Sequence, residues 1–163
     1  MDALDRKIID VLSADARYSH AKIAVMLGRE ESEISARIEE LERTGVIVKY
    51  TAVINPEKTG EDFVDALIEV KVTPQKSRGF DAIAEQIYRF EEVKSLYLMS
   101  GAYDLAVLVE GKTLRSVADF VSERLAALDT VISTATHFIL KKYKTEGVTL
   151  EGGEDTHRLA VQP

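Results

Sequence analysis

The 163-residue sequence contains no cysteine and no tryptophan, and only three prolines and three histidines. Without cysteine there can be no disulfide framework, thiolate metal site or thiol nucleophile, and the composition suits a reducing compartment. Long apolar runs are missing too: Leu105 to Val109 is a stretch of five, far short of the roughly 18 residues of a membrane span. The opening MDALDRKIIDV has no signal-peptide core. These absences lead us to expect a cytoplasmic protein with no membrane partner. Positive charge is also scarce. A formal net charge of −7 argues against a protein that coats nucleic acid through bulk charge. The excess is uneven, however: residues 1–50 hold 8 Lys+Arg against 10 Asp+Glu, so most of the net negative charge lies downstream. A small basic surface near the start remains open.

What is present is 45% apolar and 30% charged sequence, enough for one ordinary globular domain or two small ones. Leu4, Ile8, Val11 and Leu12 share a helical face. Ser19 can cap a two-turn helix over residues 20–27, which Gly28 can end with a positive φ. Ile34, Ile38 and Leu41 form the inner stripe of a third helix that Gly45 stops. Val46 to Ile54 is β-branched and partly alternating, which predicts a strand or a two-stranded wing closed by Asn55-Pro56. Two helices joined by a short glycine turn, followed by such a strand, have the spacing of a winged helix-turn-helix that reads DNA. A three-helix packing module without a ligand has the same pattern.

Residues 55–62, NPEKTGED, combine proline, glycine and charge as a hinge would. Downstream the expected order is strand (63–72), helix (78–90), strand (93–100), strand (103–110), helix (114–128) and strand (131–143). A βαββαβ run usually folds as one antiparallel sheet with both helices on one face. The other face then needs a cover, and dimerisation supplies it. The expected layout is α+β: a winged helix-turn-helix (1–54), a hinge (55–62), a ferredoxin-like effector and assembly domain (63–145), and a tail (146–163) that is flexible or strand-exchanged.

Leu4-Asp5, Asp15 to Ser19, Ile23-Ala24, Gly28, Arg37-Ile38, Leu41-Glu42, Gly45 to Ile47 and Tyr50, with the later stretches SGAYDLAVLVEG and TATHFILKKYK, closely resemble the Lrp/AsnC family of amino-acid-responsive transcription regulators. The likeness runs from residue 2 to about 145. It implies a DNA-binding head, a hinge and a ferredoxin-like domain that binds a small effector and assembles into a homodimer, with an octamer as the larger assembly. The departure is at the third helix, where Arg29-Glu30 and Ser32-Glu33 replace the family's usual Leu-Ser and Ser-Ala.

That helix lies in GREESEISARIEELERTG, with six glutamates against three arginines. With Ile34 at 0° and about 100° per residue, Arg29, Ser32, Ala36 and Arg43 fall opposite the inner stripe, so the outward face is neutral or basic. Glu33 and Glu39 stand four residues before Arg37 and Arg43, the favourable order for helical ion pairs, and the first helix is the alternative partner for Arg37. The expected DNA-binding residues are Lys22, Arg29, Ser32, Glu33, Ser35, Ala36, Arg37 and Arg43. Ser32, Ser35 and Ala36 would approach base edges or backbone, Arg29 phosphate or guanine, and Glu33 would cap the helix or accept from cytosine.

Between the expected central strands, Leu98 to Asp104 reads as a hairpin with Gly101 at a tight turn. The resemblance implies that the matching Gly-x-Tyr-Asp turn helps to bind a free amino acid at a subunit interface. Asp104 can accept from an α-ammonium group, while Ser100 and free turn amides at Gly101 can hold a carboxylate. Leu98 and Tyr103 would line the side-chain pocket, and the resemblance adds Ser133, Thr134 and Thr136 from the last strand. No cofactor, metal ligand set or catalytic residue is expected. His20, His137 and His157 form no recognisable set, which weakens the alternative of a siroheme-decarboxylase-like enzyme. A sensing and assembly module that has lost DNA binding is the other alternative, motivated by the acidic helix.

Overall fold

Asp2 starts the first helix by accepting from the amides of Leu4 and Asp5, while the Asp5 carboxylate accepts from the Asp2 amide, a reciprocal capping box. The computed structural model describes residues 1–74 and 79–150. Helix α1 spans Ala3–Ala14, α2 His20–Leu27 and α3 Glu31–Arg43. Ser19 caps α2 by accepting from the Lys22 amide, and Gly28 leaves it at φ 63°, a left-handed value that costs glycine nothing. Ile8, Ile23, Ala24, Ile34, Ile38 and Leu41 make the buried core of this unit.

The expected wing does not form as strand. Residues 46–54 pair with no strand among the described residues. The amides of Val46 and Ile47 turn back to the Leu41 carbonyl, and Val48 is 87% exposed. β-branched residues favour extended backbone, but a ladder needs a neighbouring strand; among the described residues this segment has none, and Ile47 alone packs against the helical core. Tyr50 donates to Glu42; burial, then that carboxylate, push its phenol up to about 12.

The chain divides into two compact units, 1–52 and 53–163. In the second, β1 (Val64–Val72), β2 (Val93–Leu98), β3 (Leu105–Gly111) and β4 (Val131–Phe138) form a sheet ordered β2-β3-β1-β4, antiparallel throughout. Alternation puts Ala66, Ile68, Val70 and Val72 of β1 and Leu105, Val107 and Val109 of β3 on one face. Ile83 and Ile87 of α4 (Asp81–Ile87) and Val117 and Phe120 of α5 (Leu114–Phe120) cover that face. Both helices are shorter than their periodicity predicts. α4 starts after Phe80, and Arg78 lies outside the described residues. α5 passes into a π turn over Val121–Leu125, which keeps Leu125 in the core. Gly111 ends β3 hard against α5: a Cβ there would lie 2.7 Å from both Ser116 Oγ and Val117 Cγ2.

The opposite sheet face has no covering element among the described residues. It carries Leu67 and Leu108 among the pairs Glu69–His137 (3.3 Å), Asp65–Lys142 (2.7 Å) and Lys94–Glu110 (3.3 Å). After β4, Lys144–Thr145 (β5) pairs with Val148–Thr149 (β6) around Glu146 and Gly147, both at positive φ. Sequence reading gives no structure to residues 146–150, because two-residue strands leave no periodicity to detect. Asn55 Nδ2 donates to the Leu150 carbonyl at 2.9 Å, fastening the start of this unit to the segment after β6. Residues 151–163 of the expected tail lie outside the described ones.

Candidate DNA-reading helix and effector turn

On α3 the side chains sort by what already holds them. Arg37 Nη1 donates to Asp2 at 2.7 Å and Asp5 at 3.1 Å, tying α3 to the start of α1. This pairing raises the Arg37 pKa, chiefly through the bond to Asp2. It also helps hold the Asp2 carboxyl down at about 2, behind the larger effect of the Asp5 amide. Arg43 makes two bonds to Glu40, at 2.8 and 2.6 Å. The expected partners Glu33–Arg37 and Glu39–Arg43 are therefore not the ones formed. Glu33 instead faces Arg29 at 3.9 Å, because Asp2 and Asp5 offer Arg37 two carboxylates at once. Glu33 does not cap α3 either: its N-cap is Glu30, which makes no side-chain capping bond.

Ser32 and Ala36 are exposed, and among the described residues Arg29 is restrained only by the loose contact to Glu33. Lys22 lies 4.1 Å from the Tyr18 ring centre, a cation–π contact that leaves its ammonium at the surface. Ser35 is half-buried, its Oγ 2.8 Å from His20 Nδ1. His20 was not among the expected DNA-binding residues. No periodicity announces a contact spanning fifteen positions; it depends on how α2 crosses α3.

The turn after β2 is longer than a tight hairpin. Residues 99–104 bend as a unit, closed by the Met99 amide on the Asp104 carbonyl at 2.8 Å. Gly101 is exposed and not left-handed, so its place is not set by backbone strain. Asp104 is gripped three ways: its amide donates to the Val70 carbonyl, its carbonyl accepts from Met99, and its Oδ2 accepts from the Val72 amide at 2.9 Å. Val72 sits where the β1–β4 register shifts. The carboxylate thus secures this irregularity and keeps Oδ1 for another partner.

The structure gathers Ser100, Gly101, Tyr103 and Asp104 at one end of the sheet. Leu98 pairs with Leu105 on the helix-covered face and lines a cavity of about 330 Å³ with Phe80, Tyr88 and Leu96. Thr134 and Ser133 pair with Val70 and Lys71, so β1 separates them from Asp104 by roughly 10 Å. Thr136, opposite Ile68, is farther along. Thr134 and Thr136 point to one face and Ser133 to the other, so one subunit does not bring all three to one ligand. Of the histidines, His20 is on α2 and His137 on β4, in separate units, while His157 lies outside the described residues. No described helix is long and apolar enough to cross a membrane.

With this geometry in hand, comparison with known proteins is informative. The AsnC-type helix-turn-helix domain matches residues 1–42 and the Lrp/AsnC ligand binding domain residues 65–149. The HTH-type transcriptional regulator YugG of Bacillus subtilis is 47% identical over 160 residues, covering 98% of this chain and 96% of YugG. The leucine response regulatory protein LrpA of Mycobacterium tuberculosis superposes with a TM-score of 0.76 at 29% identity, covering 90% of this chain and 97% of that one. The regulator NMB0573 of Neisseria meningitidis, solved as an L-Met complex, shares the fold at 24% identity and a TM-score of 0.71, over 89% and 93% of the two chains. Two matched domains in the same order, and near-complete overlap with such relatives, make this chain a member of the Lrp/AsnC family of HTH-type transcriptional regulators.

Proposed function

We propose that the chain acts in the cytoplasm as a homodimer, with an octamer as its larger assembly. It reads operator DNA with α3 and changes its DNA affinity when a free amino acid binds at the 98–104 turn. The observation that carries the DNA half is the face left clear on α3: Ser32 and Ala36 exposed, Arg29 weakly held at its head, and the other arginines committed elsewhere. Arg37 and Arg43 then act mainly as fasteners of the helix. Ser32 and Ala36 approach base edges, and Arg29 and Lys22 contact phosphate or guanine. Glu33 sets the reach of Arg29.

Asp104 Oδ1 suits an α-ammonium group, and Ser100 with the Gly101 amide suits a carboxylate. Tyr103 and Leu98 flank the bend. A second copy packed on the open sheet face brings in its own last strand, so Ser133, which points to that face, contributes across the interface, whereas Thr134 and Thr136 share the helix-covered face with Val70 and Ile68. Two heads would read half-sites roughly 34 Å apart or at multiples of that spacing. The effector needs to favour one arrangement by about 1–3 kcal/mol.

Footprinting on the DNA upstream of the gene, followed by a salt series, tests this reading. A protected site whose affinity falls steeply with salt is expected, together with a loss for Arg29→Ala; full affinity in that variant would remove Arg29 from the interface. Calorimetry with the common amino acids tests the effector half, and the absence of heat from every one would refute it.

A further inference from the structure

The imidazole at the start of α2 has a use that packing alone does not explain. His20 is the first residue of α2 and Ser35 stands early in α3, and Ser35 Oγ is its only hydrogen-bond partner among the described residues. A ring nitrogen fixed at one edge fixes the direction of the other. When the Ser35 hydroxyl donates to Nδ1, the ring proton resides on Nε2, and in the imidazolium Nε2 carries a proton as well. His20 is only half-buried, so part of the residue lies at the surface. In a helix-turn-helix the first helix crosses the phosphate backbone while the second enters the groove. The surroundings suit an anion on the α2 side: Lys22 is exposed two residues on, whereas the nearby Arg17 is committed to Asp15.

We propose that His20 is a DNA-backbone contact: Ser35 holds Nδ1 and thereby aims the Nε2 proton at a phosphate oxygen, coupling the grip of α2 to the position of the reading helix α3. Ser35 is then a positioning residue and not a base reader. This rests on the DNA-binding reading above, and the test separates the two.

The full chain selects a short duplex from a randomised pool, and each phosphate of that duplex is replaced in turn by a neutral methylphosphonate. The wild type should lose roughly tenfold in affinity at one phosphate per half-site, as for a hydrogen bond to a charged group. His20→Ala should bind the unmodified duplex about tenfold more weakly and show no further loss at that phosphate. Ser35→Ala should blunt the same sensitivity, and Ser35→Thr, which keeps the hydroxyl, should restore it. His20→Ala lies at a half-buried helix start where alanine is a good helix former, and circular dichroism verifies its fold. Identical methylphosphonate profiles for wild type and His20→Ala overturn the proposal, as does a Ser35→Thr no better than Ser35→Ala. A wild type that selects no duplex would instead overturn the DNA-binding reading and this proposal with it.

Discussion

Asp104 performs one task in the sheet and is proposed for a second at the effector, and substitution can separate them. Its Oδ2 accepts from the Val72 amide at 2.9 Å, beside the register shift in β1, and its remaining oxygen is the one assigned to an amino-acid ammonium. Asp104→Ala leaves the Val72 amide without its acceptor. A bond to a charged group contributes about 1.5–3 kcal/mol, and the half-exposed setting favours the lower end. For a domain of this size about 1.5 kcal/mol lowers the melting midpoint by roughly 6–12 °C. Asp104→Asn keeps a carbonyl oxygen for Val72 and should melt within about 3 °C of wild type, yet it cannot balance an ammonium charge. Amino-acid affinity should fall roughly tenfold or more, about 1.4 kcal/mol. Scanning calorimetry and titration of the same three proteins decide it. Unchanged affinity in Asp104→Asn would refute the ammonium assignment, and an unshifted midpoint in Asp104→Ala would refute the role at Val72.

Two further outcomes follow from the first unit. Ile38→Ala removes about three carbons from a fully enclosed site in a core of six residues, costing about 2–5 kcal/mol; the full chain should then melt in two steps, lose DNA binding and keep amino-acid binding, whereas one cooperative transition near the wild-type midpoint would contradict it. The Asp2 carboxyl, lowered from 3.8 to about 2 by the Asp5 amide and then Arg37, contributes stability that is fully present above about pH 4 and is lost as the pH falls toward 2. Acid unfolding of wild type and Asp2→Asn should therefore converge across that window, and parallel curves there would contradict the assignment.

The helices of the first unit and the βαββαβ succession of the second were legible because each carries a periodic apolar stripe with a chemical stop: Ser19 and Gly28 bracket α2, and Ala66, Ile68, Val70 and Val72 alternate along β1. The wing failed as an expectation because Val46 to Ile54 satisfies the composition of a strand without a partner or a face to bury. On α3 the pairs at spacing four did not form, while the alternative partner for Arg37, the first helix, did. Spacing of four predicts neighbours within a helix, but Arg37 reached Asp2, thirty-five positions away, and Arg43 chose spacing three. At the 98–104 turn, nothing local to Asp104 reveals that Val72 already occupies one of its oxygens. The His20–Ser35 bond likewise exists only through the crossing of two helices.

The bond from Asn55 to the Leu150 carbonyl has an engineering consequence. A fold held together between Asn55 and Leu150 can be opened at another loop, or joined to a host chain at those two points, without stretching its linkers. Residues 55–150 are therefore a segment whose joining points already meet. Spliced between the halves of a fluorescent or enzymatic reporter, they would turn occupancy of the 98–104 bend into an optical or chemical readout.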